Sequence, residues 1–317
     1  MVRVPNLVEL DVPQAAAVRG ELLRGLLACP AVIAPKYLYD ALGSRLFAAI
    51  TELPEYYPTR TEAAILAAHR DAIAAELPRG LTLVDVGAGN CEKAARLLRP
   101  LRVSTYVAVD ISLEFLREAL ERLQQHHPDV TMLGIGSDFS SRLRLPAVLG
   151  EGSRLLFYPG SSIGNFMPAQ ALDFLRQLHA AAQGGALLIG VDLLKPVEVL
   201  ERAYDDPLQV TAAFNRNLLR HVNDLVGCDF ALADWRHRAF FNAAQSRIEM
   251  HLEARRGVTV RWPGGERAFA AAERIHTENS YKWRADDFAT LLVDAGFTVI
   301  RRWTDERGWF AVFLAGA

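Results

Sequence analysis

The sequence predicts an α/β protein, built on a doubly wound parallel sheet with a second, smaller α+β domain. Short apolar runs alternate with helical patterns between residues 82 and 191, which is typical of a parallel sheet. This alternation stops over residues 197–280, where two helical stretches precede β-rich segments, and it then resumes. We therefore predict two discontinuous domains, one over 61–196 plus 283–317 and the other over 1–60 plus 197–282.

The strands of the larger domain are predicted from apolar runs of the kind that a sheet buried on both faces requires. They lie near 82–86, 104–109, 130–135, 153–158 and 185–191. Helical periodicity predicts the intervening helices at 92–99, 112–125 and 168–182. Pro168 suits the first turn of the last helix.

The remaining elements flank this core. Residues 13–28 have helical periodicity, and Thr59-Arg60-Thr61-Glu62 has the form of a capping box that opens a helix ending near Leu77. A helix at 285–295 precedes two terminal strands that are close enough in sequence to pair antiparallel. We predict these strands at 297–303 and 308–315, and the β-rich segments of the second domain at 238–242, 246–255 and 257–262.

The composition favours small-molecule chemistry. The 317 residues are 51% hydrophobic and 23% charged. The net charge is -2 and there is no run of Lys or Arg, so we expect binding to neither nucleic acid nor membrane.

The first twelve residues lack an apolar signal core, and no segment approaches the ~20 apolar residues of a membrane span, so we expect a cytoplasmic protein. Three cysteines without a C-x-x-C pair and eight histidines without an H-E-x-x-H pattern predict neither disulfide nor metal site.

The glycine turn at 87–89 is the strongest functional signal. A buried strand runs into Gly87-Ala88-Gly89, and Asp110 ends the next strand about 20 residues later, as in sites that bind a ribose. Glu92 occupies the position of the third glycine in dinucleotide sites, where a carboxylate would repel a pyrophosphate. Since S-adenosylmethionine (SAM) has no phosphate and carries cationic groups, Glu92 favours SAM over NAD. Two glycines in a merely tight turn are the alternative.

Other candidate residues follow the next strands. Asp138 and Phe139 follow the third strand, where an acid can bind an adenine amino group and an aromatic ring can lie against the base; a solvated acid and a core phenylalanine are the alternative. The loop Tyr158–Asn165 follows the fourth strand. The Asn165 side chain both donates and accepts, which suits an amino acid, although it could instead cap the next helix.

The predicted second domain contributes tyrosines and a polar segment. Tyr39, Tyr56 and Tyr204 can bind a carboxylate, and their ring faces tolerate a quaternary ammonium, although any one tyrosine is more often a core residue. If the segment around Glu278 is extended, Glu278 and Ser280 project to one face and could bond both nitrogens of an imidazole. Without context the segment is equally a surface strand.

Taken together, these motifs resemble the histidine N-alpha-methyltransferases of ergothioneine biosynthesis, which trimethylate L-histidine to hercynine with SAM. The resemblance covers nearly the whole chain and implies a Rossmann-like SAM-dependent methyltransferase fold with a smaller α+β substrate domain. The matching segments are LPEYYPTRTE (53–62), GAGNCEK (87–93), GSSIGN (160–165), AYDDPLQVTAAFNRN (203–217), RIEM (247–250) and TENSYK (277–282).

The resemblance also implies roles for individual residues. The cofactor would contact Gly87, Lys93, Asp110, Asp138 and Phe139. The amino and carboxylate groups of histidine would contact Tyr39, Tyr56, Asn165 and Tyr204, of which Tyr39 and Asn165 would orient the reacting nitrogen, and its imidazole would contact Met250, Glu278 and Ser280.

Alternative functions stay open at this point. The substrate could be another amino acid or a small amine, or the chain could be a non-catalytic SAM-binding sensor; an NAD dehydrogenase is disfavoured by Glu92. We expect a monomer whose small-molecule substrate is L-histidine.

Overall fold

A computed structural model of the protein describes residues 3–10, 14–150 and 152–317. The chain divides into two compact units, each taken here over its described residues. Unit 1 spans Met1–Asp11, Pro58–Leu194 and Tyr281–Ala317, and unit 2 spans Val12–Tyr57 and Lys195–Ser280. No helix among the described residues has the length and apolarity needed to cross a bilayer.

The strands are numbered along the chain and fall into three sheets. They are β1 Asn6–Glu9, β2 Ala31–Val32, β3 Thr82–Val86, β4 Thr105–Asp110, β5 Thr131–Gly136, β6 Arg154–Tyr158, β7 Ala186–Asp192, β8 Trp235–Asn242, β9 Arg247–Ala254, β10 Val258–Trp262, β11 Gly265–Phe269, β12 Arg274–Tyr281, β13 Thr298–Thr304 and β14 Phe310–Gly316.

The α-helices are numbered in the same way, and short 3-10 helices supplement them. They are α1 Ala15–Leu27, α2 Ala41–Thr51, α3 Tyr57–Ala75, α4 Glu92–Leu98, α5 Leu113–His126, α6 Pro168–Ala182, α7 Val197–Tyr204, α8 Val210–Val226 and α9 Ala285–Asp294.

Unit 1 is organised around an eight-stranded sheet in the order β1-β5-β4-β3-β6-β7-β14-β13. The first six strands in this order are parallel to one another. The last two, β14 and β13, continue the sheet with antiparallel pairing. The strand order reverses at β3, whose neighbours β4 and β6 carry the chain to opposite sides. In open α/β sheets, ligands bind outside the carboxyl ends of the strands at such a switch point.

The sheet of unit 1 is covered on both faces. One apolar core includes residues of α3, α4 and α5, and the other includes residues of α6 and α9. The strand β7 is buried along its whole length, which explains why its sequence Ala-Leu-Leu-Ile-Gly-Val-Asp is almost continuously apolar. The predicted doubly wound α/β fold is therefore confirmed.

Unit 2 combines a four-stranded sheet, in the order β2-β12-β9-β8, with a separate hairpin of β10 and β11. The strands β8 and β9 pair antiparallel over their full length, from Trp235 opposite Ala254 to Asn242 opposite Arg247. The helices α1, α2, α7 and α8 belong to the same unit. This α+β composition agrees with the prediction from the broken alternation.

Several predicted elements need correction. The strand β1 pairs with β5 in the large sheet, although we expected residues 1–60 in the second domain. The prediction did not include α2, β2 or β11. The predicted helix at 13–28 corresponds to α1, and residue 13 lies outside the described part of the chain.

The prediction of a capping box at residues 59–62 is wrong, because α3 already begins at Tyr57. The Glu62 carboxylate instead contacts Lys93 and the loop after β6.

A buried ion pair joins β7 to the segment that follows β12. The Asp192 carboxylate lies 2.8 Å from the Lys282 ammonium, and the two side chains are 1% and 0% exposed. The backbone N–H of Trp283 also donates to the backbone carbonyl of Asp192. Removing one member of such a pair leaves an uncompensated charge out of water, which is strongly destabilising.

We predict that Lys282→Met lowers the free energy of unfolding of unit 1 by roughly 3–5 kcal/mol, because Asp192 stays buried without its cation. Arg176→Met is the control, because the Arg176–Asp173 pair is exposed and should contribute little. Urea titration followed by tryptophan fluorescence measures both variants. Equal stabilities of the two variants would contradict the prediction.

Candidate active site

The glycine turn after β3 leaves space above the carboxyl end of that strand. Gly87 and Gly89 have φ values of +74° and +54°, a region that favours glycine. A Cβ at Gly87 would lie 3.3 Å from the Phe139 ring, whereas a Cβ at Gly89 would meet no atom within 4 Å. The turn therefore keeps both a close approach to Phe139 and an open face beside Gly89.

Asp110 ends β4 and closes this turn through backbone bonds. Its Oδ2 accepts the Gly89 N–H at 2.9 Å, and its Oδ1 accepts the Ser112 N–H at 3.0 Å. Burial raises the pKa of Asp110, and the donating amides oppose that rise. A carboxylate has about four acceptor positions, so it can accept a hydrogen bond from a ligand hydroxyl as well as from backbone amides.

Asp138 and Phe139 follow β5, next to Asp110. The Ser137 N–H donates to the Asp110 carbonyl, which fixes this loop against the end of β4. The Asp138 Oδ1 accepts bonds from the backbone and hydroxyl of Ser140. Phe139 is half-buried and packs edge-on against Tyr158 at 6.3 Å between ring centroids.

Cys91 lies in the glycine turn with φ +61°, directly before α4. Burial raises the pKa of its thiol far above the ordinary value, and the charge of Asp85 adds to that rise. Burial likewise raises the pKa of Asp85 to about 7, although the Tyr106 hydroxyl donates to it at 2.8 Å. A thiol held in this protonated state is not a nucleophile, so Cys91 is a small packing residue beside the glycine turn.

Lys93 and the loop after β6 share one carboxylate. The Lys93 ammonium lies 2.8 Å from Glu62 Oε2, and Glu62 Oε1 accepts the Gly160 N–H at 2.8 Å. Asn165 ends the 3-10 helix Ser162–Asn165 of this loop and is half-buried. The alternative that Asn165 caps α6 is wrong, because α6 begins at Pro168 with Met167 in the capping position.

In unit 2, the structure brings the three predicted tyrosines into one aromatic cluster. The Phe47 ring lies 5.6 Å from Tyr39 and 6.1 Å from Tyr56, and Tyr56 lies 6.1 Å from Tyr204, all edge-to-face. Phe214 contacts both Tyr39 and Phe47. Edge-to-face contact is a favoured arrangement of aromatic pairs, so the packing stabilises these orientations of the three tyrosine rings.

Tyr204 is fixed at both ends. Its hydroxyl lies 2.7 Å from the Ser280 hydroxyl, which joins two predicted substrate residues. Its carbonyl accepts a bond from His237 Nε2 at 2.8 Å, and His237 Nδ1 lies 2.9 Å from the Asn215 amide. Burial lowers the pKa of His237. A neutral imidazole protonated at Nε2 satisfies both bonds.

The segment around Glu278 is the strand β12, so the condition for Glu278 and Ser280 to project to one face is met. Both side chains are buried, and Asn279 between them is half-buried. Thr277 donates from its hydroxyl to the Met250 carbonyl at 3.0 Å, which joins β12 to β9. Met250, Glu278 and Ser280 therefore lie on neighbouring strands of one sheet.

One cluster among the described residues has the chemistry of metal ligands: Glu249, His251 and His276. Its carboxylate is already engaged, because Glu249 Oε1 accepts bonds from Arg247 and Asn242, and Oε2 lies 3.0 Å from His251 Nε2. The expectation of no metal site stays a prediction.

Sequence reasoning missed several residues that support these groups. Phe47 and Phe214 pack against the predicted tyrosines, and His237 holds Tyr204. Phe47 belongs to α2, a helix that the prediction omitted. Phe214 and His237 contact tyrosines that are distant in sequence, so no local pattern could have indicated these two residues.

Comparison with known proteins assigns the chain to a family. A family model described as histidine-specific methyltransferase, SAM-dependent, matches residues 18–317. The histidine N-alpha-methyltransferase of Mycolicibacterium smegmatis is 41% identical over 309 residues, which cover 95% of each chain. The protein of that name in Mycobacterium tuberculosis is 40% identical over 306 residues and 94% of each chain.

Less similar proteins also match this chain. The ergothioneine biosynthesis protein 1 of Neurospora crassa is 29% identical over 84% of this chain, a match that spans 31% of its own length. Among solved structures, the CcbJ methyltransferase from Streptomyces caelestis matches with a TM-score of 0.51 and 14% identity, over 88% of this chain and 99% of that one. This last likeness shows the fold alone.

We predict that His251 stays neutral until the pH falls to about 4, because burial lowers its pKa to about 4 although Glu249 favours the cation. NMR titration of the imidazole measures the value, with His251→Asn to assign the signal. The unfolded histidine binds a proton below about pH 6.5, so unit 2 should lose stability as the pH falls from 6.5 towards 4. A midpoint near 6.5 would contradict the burial argument.

Proposed function

The chain belongs to the family of SAM-dependent, histidine-specific methyltransferases, and we propose that it transfers methyl groups from SAM to the α-amino nitrogen of L-histidine. The product would be hercynine, the trimethylated betaine, as a step of ergothioneine biosynthesis. The observation that carries this proposal is the identity of about 40% over some 95% of the chain to histidine N-alpha-methyltransferases.

The described residues of unit 1 fit the cofactor. We propose that the open face beside Gly89 admits it, and that Asp110 accepts hydrogen bonds from its ribose hydroxyls. Asp138 would bind the adenine amino group, and Phe139 would lie against the base. Lys93 would bind the cofactor carboxylate, since its side chain is 30% exposed. Glu92 at the start of α4 favours a ligand without phosphates.

We propose that the α-amino and carboxylate groups of histidine are bound by Tyr39, Tyr56, Asn165 and Tyr204. Phenol hydroxyls and an amide supply both donors and acceptors, as a zwitterion requires. The edge-to-face packing of the tyrosines supports this role, because a preorganised group loses little freedom when the ligand binds.

We propose that Glu278 and Ser280 bond the two imidazole nitrogens while Met250 contacts the ring. Glu278 can accept from an N–H, and the Ser280 hydroxyl can donate to the other nitrogen. The hydroxyl bond between Tyr204 and Ser280 supports this assignment, because it restricts the rotation of the serine side chain.

When bound, SAM would supply an electrophilic methyl carbon. Attack by a neutral amine nitrogen in line with the C–S bond would release the thioether S-adenosylhomocysteine, and the amine would lose one proton to solvent. The protein must therefore present the lone pair of the nitrogen, and ordering of the reactants alone can gain on the order of 7–11 kcal/mol. Tyr39 and Asn165 would orient that nitrogen. An amino group with a pKa near 8 in peptides is largely protonated at neutral pH, so the rate should rise with pH until the amine is neutral.

Three transfers place a further demand on the substrate residues, because each methyl group removes one N–H and enlarges the nitrogen. Tyrosine ring faces attract a quaternary ammonium without requiring an N–H. The tyrosine cluster therefore suits both the substrate and its methylated forms. The lack of nucleic acid or membrane binding stays a prediction from the charge, and the cytoplasmic location and the monomeric state also stay predictions.

The proposal is tested by incubating the protein with SAM carrying deuterated methyl groups and, separately, each amino acid and several small amines. Mass spectrometry should detect three labelled methyl groups on histidine and little transfer elsewhere. Preferred transfer to another amine would replace histidine as substrate. Cofactor binding by calorimetry without transfer to any compound would identify a sensor.

We predict that Asp110→Ala mainly weakens cofactor binding, by about 10–100-fold, because a charged acceptor of two ribose hydroxyls is lost. Calorimetry with S-adenosylhomocysteine measures the affinity, and the rate at saturating SAM should change less. Asp173→Ala, an exposed acid on α6, is the control. Unchanged affinity in Asp110→Ala would remove the ribose assignment.

We predict that Glu278→Ala lowers the preference for histidine over analogues without a ring N–H, by up to about 10⁴-fold, because the parent site loses its acceptor for that group. The measurement is kcat/KM for histidine and for phenylalanine. Glu266→Ala is the control, since Glu266 is exposed on the hairpin of unit 2. Equal kcat/KM for histidine in the variant and the parent protein would refute the role.

A further inference from the structure

The buried carboxylate of Glu62 contacts two elements with different predicted ligands. The residue is 1% exposed and lies on α3. Its Oε2 accepts a bond from the Lys93 ammonium, and its Oε1 accepts the Gly160 N–H, each at 2.8 Å. Lys93 is a predicted cofactor residue, and Gly160 begins the loop that carries Asn165.

The loop that Glu62 holds has an unusual backbone. Gly160 has φ +77°, and Ser161 has φ +57° although it is not glycine. The left-handed region is costly for a residue with a side chain, so surrounding contacts must hold Ser161 there. Two such contacts are the bond from Gly160 N–H to Glu62 and the bond from Asp192 N–H to Ser161 Oγ at 2.8 Å.

The packing around Glu62 leaves its carboxylate in one place. A Cβ at Gly190 would lie 1.8 Å from Glu62 Oε1, so this position of β7 has room for the carboxylate only because residue 190 is glycine. A Cβ at Gly160 would lie 2.8 Å from the Lys93 ammonium, which places that cation against the loop itself. The carboxylate, the lysine and the loop therefore fit together as one unit.

We propose that Glu62 is a positioning residue that couples the cofactor-binding lysine to the loop that presents Asn165. This inference rests on the proposed function for the roles of Lys93 and Asn165. One carboxylate provides both bonds. If Lys93 shifts towards a ligand, the carboxylate shifts with it, and the oxygen that accepts the Gly160 N–H changes its position. Glu62 thereby acts on both ligands through its two partners and touches neither.

The coupling has a physical basis in the cost of an unpaired charge. A carboxylate that is 1% exposed must keep donors on its oxygens, because a buried acceptor without a partner loses its hydration without compensation. Lys93 and Gly160 are the donors that the structure provides. The position of each is thus constrained by the requirement that Glu62 stay satisfied.

The test compares Glu62→Ala with Glu76→Ala. Glu76 follows α3 and forms a more exposed ion pair with Arg301 at 2.8 Å, so it is a matched control for the loss of one carboxylate. Three measurements are made: hydrogen–deuterium exchange of residues 159–165, calorimetric affinity for S-adenosylhomocysteine, and KM and kcat for histidine.

In Glu62→Ala we expect faster exchange of the loop, an affinity for S-adenosylhomocysteine weakened about tenfold or more, and a histidine KM raised by a similar factor. Glu76→Ala should leave all three unchanged. A folded Glu62→Ala protein in which loop exchange, cofactor affinity and histidine KM match the parent would overturn the inference.

Glu62→Gln gives a second test that also serves if the alanine variant does not fold. Its amide has one acceptor oxygen and one NH2 group, so it can satisfy Lys93 or Gly160 but places a donor against the other. We expect Glu62→Gln to match the parent protein in either the exchange protection of the loop or the cofactor affinity, but not in both. A variant that matches the parent in both overturns the inference. If the parent protein fails to methylate histidine, the proposed function falls, while exchange and calorimetry still decide the role of Glu62.

Discussion

The pairing of charges that the fold removes from water constrains the loop that follows β6 in unit 1. Glu62 and Asp192 are both almost fully buried, and each carboxylate contacts a lysine. The loop after β6 is tied to both residues, through Gly160 to the Glu62 carboxylate and through Ser161 to the Asp192 backbone. Because an unpaired buried carboxylate is costly, the loop and the two lysines are restricted to positions that satisfy these acids.

Unit 2 obtains comparable rigidity from aromatic packing and neutral histidines. Three successive ring contacts join the aromatic cluster: Tyr39 with Phe47, Phe47 with Tyr56, and Tyr56 with Tyr204. Burial lowers the pKa of His237 and so favours its neutral form. The neutral ring can accept a hydrogen bond from the Asn215 amide at Nδ1 while its Nε2–H donates to the Tyr204 carbonyl. A polar ligand that approaches such groups meets donors and acceptors already in place, which lowers the entropic cost of binding.

The regular part of the fold could be predicted from sequence because apolar periodicity is a local signal. The strands β3 to β7 and the helices α4 to α6 occur within one or two residues of their predicted bounds. The strand β1 was missed because it is short and is stabilised by its pairing with β5. The capping box failed because the Glu62 side chain bonds to Lys93 and Gly160, residues that are 31 and 98 positions away.

The roles proposed for the site residues all depend on methyl transfer to the α-nitrogen of histidine. The most direct measurement is NMR of the product formed from SAM with ¹³C-labelled methyl groups and histidine labelled with ¹⁵N at the α position. We predict a single methyl resonance from three equivalent groups, coupled to the α-nitrogen. Methyl groups coupled to a ring nitrogen, or no labelled product at all, would contradict the account.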